Sequence, residues 1–192
     1  MSRAENQQER LITIGWVVGF VDGEGCFSLG LIKQADRKEE NRIRKGYRNG
    51  YQVFHEFAVT QGESSLPMLQ ELQKFFGIGN VYVNTRYDNH KENLYRYVVR
   101  KREDLLQTII PFFEQYSLRT AKRKNFKLFA RGVRKVARKE HLTKKGLIEI
   151  VEMVQKMNHK RDKSDLIKIL RNQTSAPPMA GKIEFMPHGN MG

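Results

Sequence analysis

The chain has 192 residues, and its 35 Lys and Arg against 21 Asp and Glu give a formal net charge of +14. Its single cysteine, Cys26, excludes a disulfide framework and a zinc site built of clustered thiolates. The apolar run from Trp16 to Val21 is far shorter than the roughly 20 residues that a membrane-spanning helix requires. We therefore expect one domain in an intracellular, reducing compartment, either a bacterial or archaeal cytoplasm or an organelle, with no membrane partner.

Hydrophobic periodicity predicts an α+β domain with the element order α-β-β-α-β-β-α-α-α-α. Polar residues 35–50 form the long loop of the first hairpin, and Pro111 is expected to kink or end the third helix. The predicted helices lie at 12–23, 65–76, 103–116, 119–138, 143–157 and 164–171, and the strands at 26–33, 51–61, 78–87 and 93–101. Residues 1–10 are expected to be a polar lead, 11–173 one domain and 174–192 a disordered tail.

The positive charge is unevenly distributed along the chain. Residues 119–145 hold twelve basic residues and one acidic residue, Glu140. Such an excess favours a polyanionic partner, with nucleic acid ahead of anionic lipid, because no strong apolar face accompanies the basic stretch.

The stretch "GWVVGFVDGEG" places Gly15, Gly19 and Gly23 four residues apart, on one narrow stripe of the first helix. Glycine inside a helix costs about 1 kcal/mol relative to alanine, so the stripe requires a reason. Close packing of another helix is one explanation, and packing against the chain's own sheet is the alternative. The carboxylates Asp22 and Glu24 follow directly at the end of the helix.

The nonapeptide "VVGFVDGEG" at 17–25 resembles the signature of the LAGLIDADG homing endonucleases. Four further segments resemble single-motif, intron-encoded members in the same order along the chain. They are "FAVTQ" at 57–61, "FFGIGNVYV" at 75–83, "IIPFFEQYSLRTAKRKNF" at 109–126 and "HLTKKGLIEIVEMVQKMN" at 141–158. The resemblance implies an α-β-β-α-β-β-α core with a curved, four-stranded antiparallel sheet that binds DNA, followed by C-terminal helices.

In this family the motif helices of two halves pack against each other, and one motif in one chain implies a C2 homodimer. The contact would include Gly15, Trp16, Gly19 and Gly23. The resemblance also implies that Glu24 binds Mg²⁺, for which other divalent cations can substitute, with the carbonyl of Gly23 as a second ligand. Asp22 is expected to cap or pack rather than to bind metal.

Two further polar groups follow from the resemblance. Gln61 corresponds to the residue that orients a water molecule, and a basic residue in "LRTAKRK" corresponds to the one that stabilises developing negative charge. Lys122 fits that position best, with Arg119 and Lys124 as alternatives.

The sheet face opposite the core is expected to read DNA in the major groove, because alternate side chains of a strand point to the same face. The predicted base-facing residues are Ser28, Gly30, Ile32, Gln34, Gln52, Phe54, Glu56, Ala58, Tyr82, Asn84, Arg86, Asn93, Tyr95 and Tyr97. The predicted phosphate contacts are Arg42, Arg44, Lys45, Arg48, Arg161 and Lys163.

The leading hypothesis is a site-specific, Mg²⁺-dependent homing endonuclease that makes a double-strand break in a long pseudo-palindromic DNA site. One alternative is an RNA maturase that assists splicing of a group I intron on the same fold, for which intron RNA would be the partner. The other is a cleavage-silent DNA-binding regulator. The acid at position 24 favours cleavage.

Overall fold

The computed structural model describes residues 3–34, 37–39, 42–44, 50–84, 92–157, 167–168 and 170–171. Its helices are α1 (Arg3–Glu24), α2 (Leu66–Phe76), α3 (Arg102–Asp104), α4 (Ile110–Gln115), α5 (Lys122–Ala137) and α6 (Lys144–Met157). Its strands are β1 (Gly25–Lys33), β2 (Arg37–Glu39), β3 (Arg42–Arg44), β4 (Tyr51–Gly62), β5 (Asn80–Asn84) and β6 (Leu94–Val99). No helix in these ranges is long and apolar enough to cross a bilayer.

The first helix begins earlier than predicted, because α1 starts at Arg3 and includes most of the expected polar lead. The long loop between β1 and β4 also contains structure, since β2 and β3 pair as a two-stranded antiparallel ribbon. The division of the chain into lead, domain and tail remains a prediction, and residues 174–192 lie outside the described residues.

Four strands form one antiparallel sheet in the order β1-β4-β6-β5. The register pairs Gly25 with Val59 at the start of β1, Phe57 with Val99 between β4 and β6, and Asn80 with Val98 between β5 and β6. The predicted α+β class and the four-stranded antiparallel sheet are confirmed.

The helices cover one face of this sheet, where alternate strand residues form an aromatic core. The ring of Phe27 on β1 lies 5.2 Å from Phe57, 5.5 Å from Phe113, 5.1 Å from Phe126 and 5.4 Å from Phe129, measured between ring centroids. Phe27 and Phe57 therefore lie on the face of β1 and β4 opposite to the one predicted to face DNA. The opposite face of the sheet, here called the outer face, carries the alternate residues of the same strands, such as Ser28 opposite Glu56 and Ala58 opposite Val98.

A second apolar cluster joins α6 to the far end of the first hairpin. Leu29 and Val53 pack there with buried residues of α6, among them Leu147 and Ile150. Gly132 on α5 allows this approach, because a Cβ atom at that position would lie 2.5 Å from the Leu29 side chain. The C-terminal helices are thus part of the same packed unit as the sheet.

Pro111 does not end its helix. The chain stays helical from Arg102 to Gln115, with a π-helical turn at Leu105–Ile109 immediately before the proline-containing α4. Proline lacks an N–H and clashes with the carbonyl four residues earlier in a regular helix. Here the turn before Pro111 is widened, and the N–H of Ile110 donates to the carbonyl of Leu105, five residues earlier. The predicted end of the helix at Pro111 is therefore wrong, and the alternative, a kink, stays a prediction.

Candidate active site and nucleic-acid interface

The glycine stripe lies on an exposed face of α1. A Cβ atom built at Gly15, Gly19 or Gly23 meets nothing within 4 Å in the described part of the chain. The alternative that the stripe packs against the chain's own sheet is therefore wrong. A smooth helical surface is left open to solvent.

Large apolar side chains border this stripe. Leu11 and Ile12 are 57% and 65% exposed, an unusual exposure for residues of their size. Trp16 stacks on Phe20, with 5.9 Å between the ring centroids, and both side chains are half-buried. The exposed face of α1 therefore carries two large apolar side chains, Leu11 and Ile12, followed by the bare glycine stripe from Gly15 to Gly23.

Asp22 fixes the loop that precedes α5. Its carboxylate accepts hydrogen bonds from the backbone N–H of Arg119 at 2.8 Å, from the backbone N–H of Thr120 at 3.0 Å and from the Thr120 hydroxyl at 2.7 Å. Desolvation raises the pKa of Asp22, but the hydrogen bonds from Thr120 and Arg119 and the charge of Lys122 outweigh it, so the pKa lies below its ordinary value. The packing role expected for Asp22 matches this geometry, whereas its partner Thr120 was not predicted.

Lys122, the first residue of α5, directs its ammonium group to the end of α1. Its Nζ atom donates to the carbonyl of Gly23 at 2.7 Å and to that of Val21 at 3.1 Å. Desolvation lowers the pKa of Lys122, and the nearby charges of Asp22 and Glu24 oppose this change. Among the three basic candidates, the structure thus brings the Lys122 side chain to the carboxylate end of α1.

The same end of α1 carries Glu24 at its last position, with an exposed side chain. Gly25 begins β1 directly afterwards, and a Cβ atom there would lie 2.5 Å from Cγ1 of Val21 and 2.8 Å from its carbonyl oxygen. Only glycine therefore lets the helix turn into the strand at this point. The turn holds Glu24 at the surface, beside the Gly23 carbonyl.

Gln61 lies at the same end of the sheet. It is half-buried near the end of β4 and faces Tyr95 across the strand pair. Gly25, the first residue of β1, pairs with Val59 on β4. Gln61 is two residues further along β4, so it lies beyond the start of β1 and in line with the end of α1. By this register, Gln61 lies at the end of the sheet where β1 follows α1, the end that also carries Glu24 and Lys122.

One chain offers few metal ligands at this location. Within the described ranges, no group of three or more His, Cys, Asp and Glu side chains is arranged to hold a metal ion. The oxygen atoms that could bind a metal at the end of α1 are those of the Glu24 carboxylate and the Gly23 carbonyl. The Asp22 carboxylate is not counted among them, because it accepts a hydrogen bond from Thr120.

The outer face of β1 and β4 carries the residues that the alternation predicted. The register pairs Ile32 with Gln52 and Gly30 with Phe54, and Gln34 donates a side-chain hydrogen bond to Gln52 at 3.1 Å. These residues are at least partly exposed.

Two predicted base-facing residues of β4 share this face but are covered. Glu56 is 3% exposed and Ala58 is 2% exposed. Both oxygens of Glu56 bind arginines, Oε1 to Arg96 and Oε2 to Arg100, each at 2.6 Å. The prediction that the Glu56 carboxylate and the Ala58 methyl group are open to a ligand is wrong for the chain on its own.

The prediction for β6 has the wrong alternation. Tyr97 is fully buried in the helix-covered core, where its hydroxyl donates to the Ile78 carbonyl at 2.9 Å, and burial raises its pKa. Tyr95 shares that inner face and packs against the core, while Asn93 precedes the strand. The outer face instead carries Leu94, Arg96 and Val98, none of which was predicted to face DNA.

On β5, Tyr82 and Asn84 are exposed, with Tyr82 opposite Arg96 on the outer face. Arg42 and Arg44 lie on the ribbon strand β3, for which only the backbone is described. The remaining predicted contacts, Lys45, Arg48, Arg86, Arg161 and Lys163, lie outside the described residues.

Comparison with known proteins finds both curated relatives and solved structures that are similar to this chain. The chain is 34% identical over 131 residues to an "Uncharacterized 50.9 kDa protein in ND4 intron 1" of Podospora anserina, covering 67% of this chain and 25% of that protein. It is 30% identical over 138 residues to "Probable intron-encoded endonuclease 2" of Neurospora crassa, covering 72% of this chain and 26% of that protein. The chain thus spans about a quarter of the length of these curated relatives.

Solved structures of homing endonucleases share the fold. The structure of I-TnaI is 37% identical with a TM-score of 0.64, and the match covers 82% of this chain and 95% of that chain. A structure of I-SmaMI bound to an uncleaved DNA target in the presence of calcium ions is 31% identical with a TM-score of 0.64, covering 84% and 49%. Residues 17–133 match the family model described as LAGLIDADG endonuclease. The chain therefore belongs to the LAGLIDADG endonuclease family.

Proposed function

We propose that this chain is a site-specific homing endonuclease that uses a divalent cation to make a double-strand break in a long pseudo-palindromic DNA site. The observation that carries the proposal is the meeting of Glu24, Gly23 and Lys122 at one exposed point, with the Lys122 ammonium 2.7 Å from the Gly23 carbonyl. Family membership supports the nuclease activity. The DNA-bound structures of I-SmaMI support duplex DNA as the substrate.

The working enzyme is a C2 homodimer joined through the exposed face of α1. This chain matches 95% of the I-TnaI chain but 49% of the I-SmaMI chain, so the longer protein has room for two such units. The bare stripe Gly15, Gly19 and Gly23 lets a second helix approach closely, and Trp16 borders the contact. Small-residue stripes permit such close backbone contact elsewhere by removing side chains from it. A second copy would bring its own Glu24 to the twofold axis.

Glu24 and the Gly23 carbonyl fit a hard divalent cation such as Mg²⁺, which prefers oxygen ligands and keeps several waters. Glu24 is exposed, and the Gly23 oxygen has a second lone pair besides the one that Lys122 uses. One chain supplies too few ligands for a closed site, as expected where a second copy and the DNA phosphates supply the others. The bound cation would neutralise charge on the phosphate and lower the pKa of a bound water.

The chain's own residues orient the reaction. Lys122 stabilises negative charge that develops on the phosphate, because its ammonium is fixed by two carbonyls at the end of α1. Asp22 fixes the loop that positions Lys122, through its bonds to Thr120. The Gln61 amide orients a water molecule from the neighbouring end of β4.

DNA is read by the outer face of the sheet and held by basic loops. Ser28, Gly30, Ile32, Gln34, Gln52, Phe54, Tyr82, Asn84 and Arg86 are the proposed base-facing positions. Arg42, Arg44, Arg48, Arg161 and Lys163 are the proposed phosphate contacts, in keeping with the net charge of +14. The relatives' intron origin supports an organelle as the compartment, and intron RNA is the alternative partner.

The test is to incubate the purified protein and Mg²⁺ with a library of random DNA duplexes and to sequence the cut ends. We expect one long, nearly palindromic motif at the ends, and no cutting when the metal is chelated. Cut ends without a common motif, or equal cutting in chelator, would contradict the proposal. Binding of intron RNA without any DNA cleavage would indicate the maturase instead.

A further inference from the structure

The outer face of the sheet contains a covered carboxylate between two arginines. The Glu56 side chain is 4% exposed, whereas those of Arg96 and Arg100 are 34% and 56% exposed. The two ion pairs measure 2.6 Å, from Nη2 of Arg96 to Oε1 and from Nε of Arg100 to Oε2. One buried acid thus binds two arginines whose side chains are partly exposed.

The register explains how Arg96 reaches this acid. Arg96 lies opposite Thr60 on β4, four residues along the strand from Glu56, and opposite Tyr82 on β5. The row between them holds Ala58 opposite Val98, both on the outer face and yet only 2% and 3% exposed. The extended Arg96 side chain must pass over this row, and its apolar stem covers it.

The ion pairs leave donors of both arginines available to a ligand. A guanidinium carries five N–H donors in a planar fork, of which Glu56 engages one nitrogen atom on each arginine. Because the carboxylate binds Arg100 through Nε, the two terminal Nη groups of Arg100 keep donors that this bond does not use. A pair of parallel N–H donors matches O6 and N7 of guanine in the major groove.

We propose that Arg96 and Arg100 read guanine bases in the target and that Glu56 is the positioning residue that aims both. This inference rests on the proposed function, since it assigns specificity to the sheet of a DNA-cutting enzyme. Glu56 itself is not placed to accept a hydrogen bond from cytosine, because its side chain is only 4% exposed and both of its oxygens face arginines.

A fixed carboxylate serves specificity in two ways. It holds two long, flexible side chains in one geometry before DNA arrives, which reduces the entropy lost on binding. It also offsets part of their positive charge, so that phosphates attract them less and the guanine edge competes better. Without the carboxylate, both arginines would still bind DNA but with weaker preference for any base.

The experiment selects bound duplexes from a random library and sequences them, for the full chain and for the variants Glu56→Gln, Arg96→Lys and Arg100→Lys. Each lysine variant keeps the positive charge but loses the planar fork, so each should lose roughly ten- to a hundredfold of guanine preference at its own base pair. Glu56→Gln should weaken the preference at both of these base pairs and leave the other positions unchanged.

Glu114→Gln is the matched control, because Glu114 pairs with Arg134 at 2.7 Å among the helices, away from the outer face. It removes the same charge and an ion pair of nearly the same length, here an exposed pair with a single arginine, and its selected motif should equal that of the parent. Thermal melting identifies any variant that fails to fold. If Glu56→Gln does not fold, the two lysine variants decide the outcome, because each keeps a positive charge next to the buried Glu56.

Unchanged guanine preference in both lysine variants, or in a folded Glu56→Gln protein, would overturn the inference while leaving the endonuclease proposal intact. If the parent protein selects no motif, the proposed function fails as well. A loss of preference that appears equally in Glu114→Gln would also overturn it, because charge alone would then explain the result.

Discussion

Replacing Asp22 with asparagine should destabilise the fold by removing the anchor of the loop before α5. The carboxylate accepts three hydrogen bonds, at 2.8, 3.0 and 2.7 Å, from Arg119 and Thr120. An asparagine side chain would keep one acceptor oxygen but place an amide N–H₂ group against N–H donors. The Thr120 loop would lose its fixed position relative to α1.

The expected cost is about 1–2 kcal/mol in the free energy of unfolding at pH 7, because two effects reduce the full strength of these bonds. Hydrogen bonds to charged groups contribute about 1.5–3 kcal/mol each, but Asp22 lies near solvent, which screens the interaction, and asparagine retains part of it. The pKa of Asp22 is lowered from 3.8 in the folded state, so the ionised carboxylate stabilises the fold. This stabilisation is complete well above pH 3.8 and disappears as the pH falls through the folded-state pKa.

Urea unfolding of the parent and of Asp22→Asn at pH 7, and again at stepwise lower pH, measures this difference. The gap between the two proteins should narrow below about pH 4. Asp104→Asn is the matched control, because Asp104 pairs with the exposed Lys101 at 3.5 Å, a longer distance than any of the three Asp22 bonds. An Asp22→Asn protein as stable as the parent at pH 7, or a gap that widens in acid, would refute the anchoring role.

Three further outcomes are expected. The Gly19→Leu monomer should be at least as stable to unfolding as the parent monomer, because nothing in the described part of the chain lies within 4 Å of the Cβ position. In sedimentation, however, Gly19→Leu should be a monomer and the parent a dimer. A dimeric, fully active Gly19→Leu protein would contradict the helix-to-helix contact. Gly25→Ala should lower the free energy of unfolding by about 1–3 kcal/mol through its clash with Val21, while Gly30→Ala should change it little. DNA affinity should fall steeply with salt in a filter-binding titration, and a log-log slope near zero would exclude phosphate contacts as its main source.

The end of α1 could be predicted from sequence because its signals are local. Gly25 marks the change from helix to strand, and the structure adds the reason, a close approach to Val21 that no side chain allows. The aromatic inner face around Phe27 was likewise predictable, because β1 alternates between apolar and small or polar residues.

The face of β6 could not be predicted in the same way. Leu94, Tyr95, Val98 and Val99 place apolar groups on both faces, so alternation alone does not show which face is covered. Tyr97 looks like a polar, DNA-facing residue, but its hydroxyl is satisfied by the Ile78 carbonyl inside the core. One feature of the sequence did indicate the residues of the outer face. Arg96 and Arg100 are four positions apart, and residues separated by an even number of positions lie on the same face of a strand.

Other features depend on contacts between residues far apart in the chain. Asp22 and Thr120 are 98 positions apart, and Glu56 and Arg96 are 40 apart. Periodicity assigns Glu56 to the correct face of β4 but cannot show that two arginines cover it. The helix that continues across Pro111 depends on a π turn, for which the sequence offers no local signature.

The most direct test of the proposed active site compares Glu24→Gln with the parent protein in cleavage and in binding. This change keeps the size of the side chain but removes the charge that would offset a cation. We expect Mg²⁺-dependent cleavage to fall by orders of magnitude while gel-shift affinity for the same DNA persists, and Glu71→Gln, an exposed position on α2, to behave as the parent. Cleavage of both strands by Glu24→Gln at the parent rate would contradict the assignment of the active site to the end of α1.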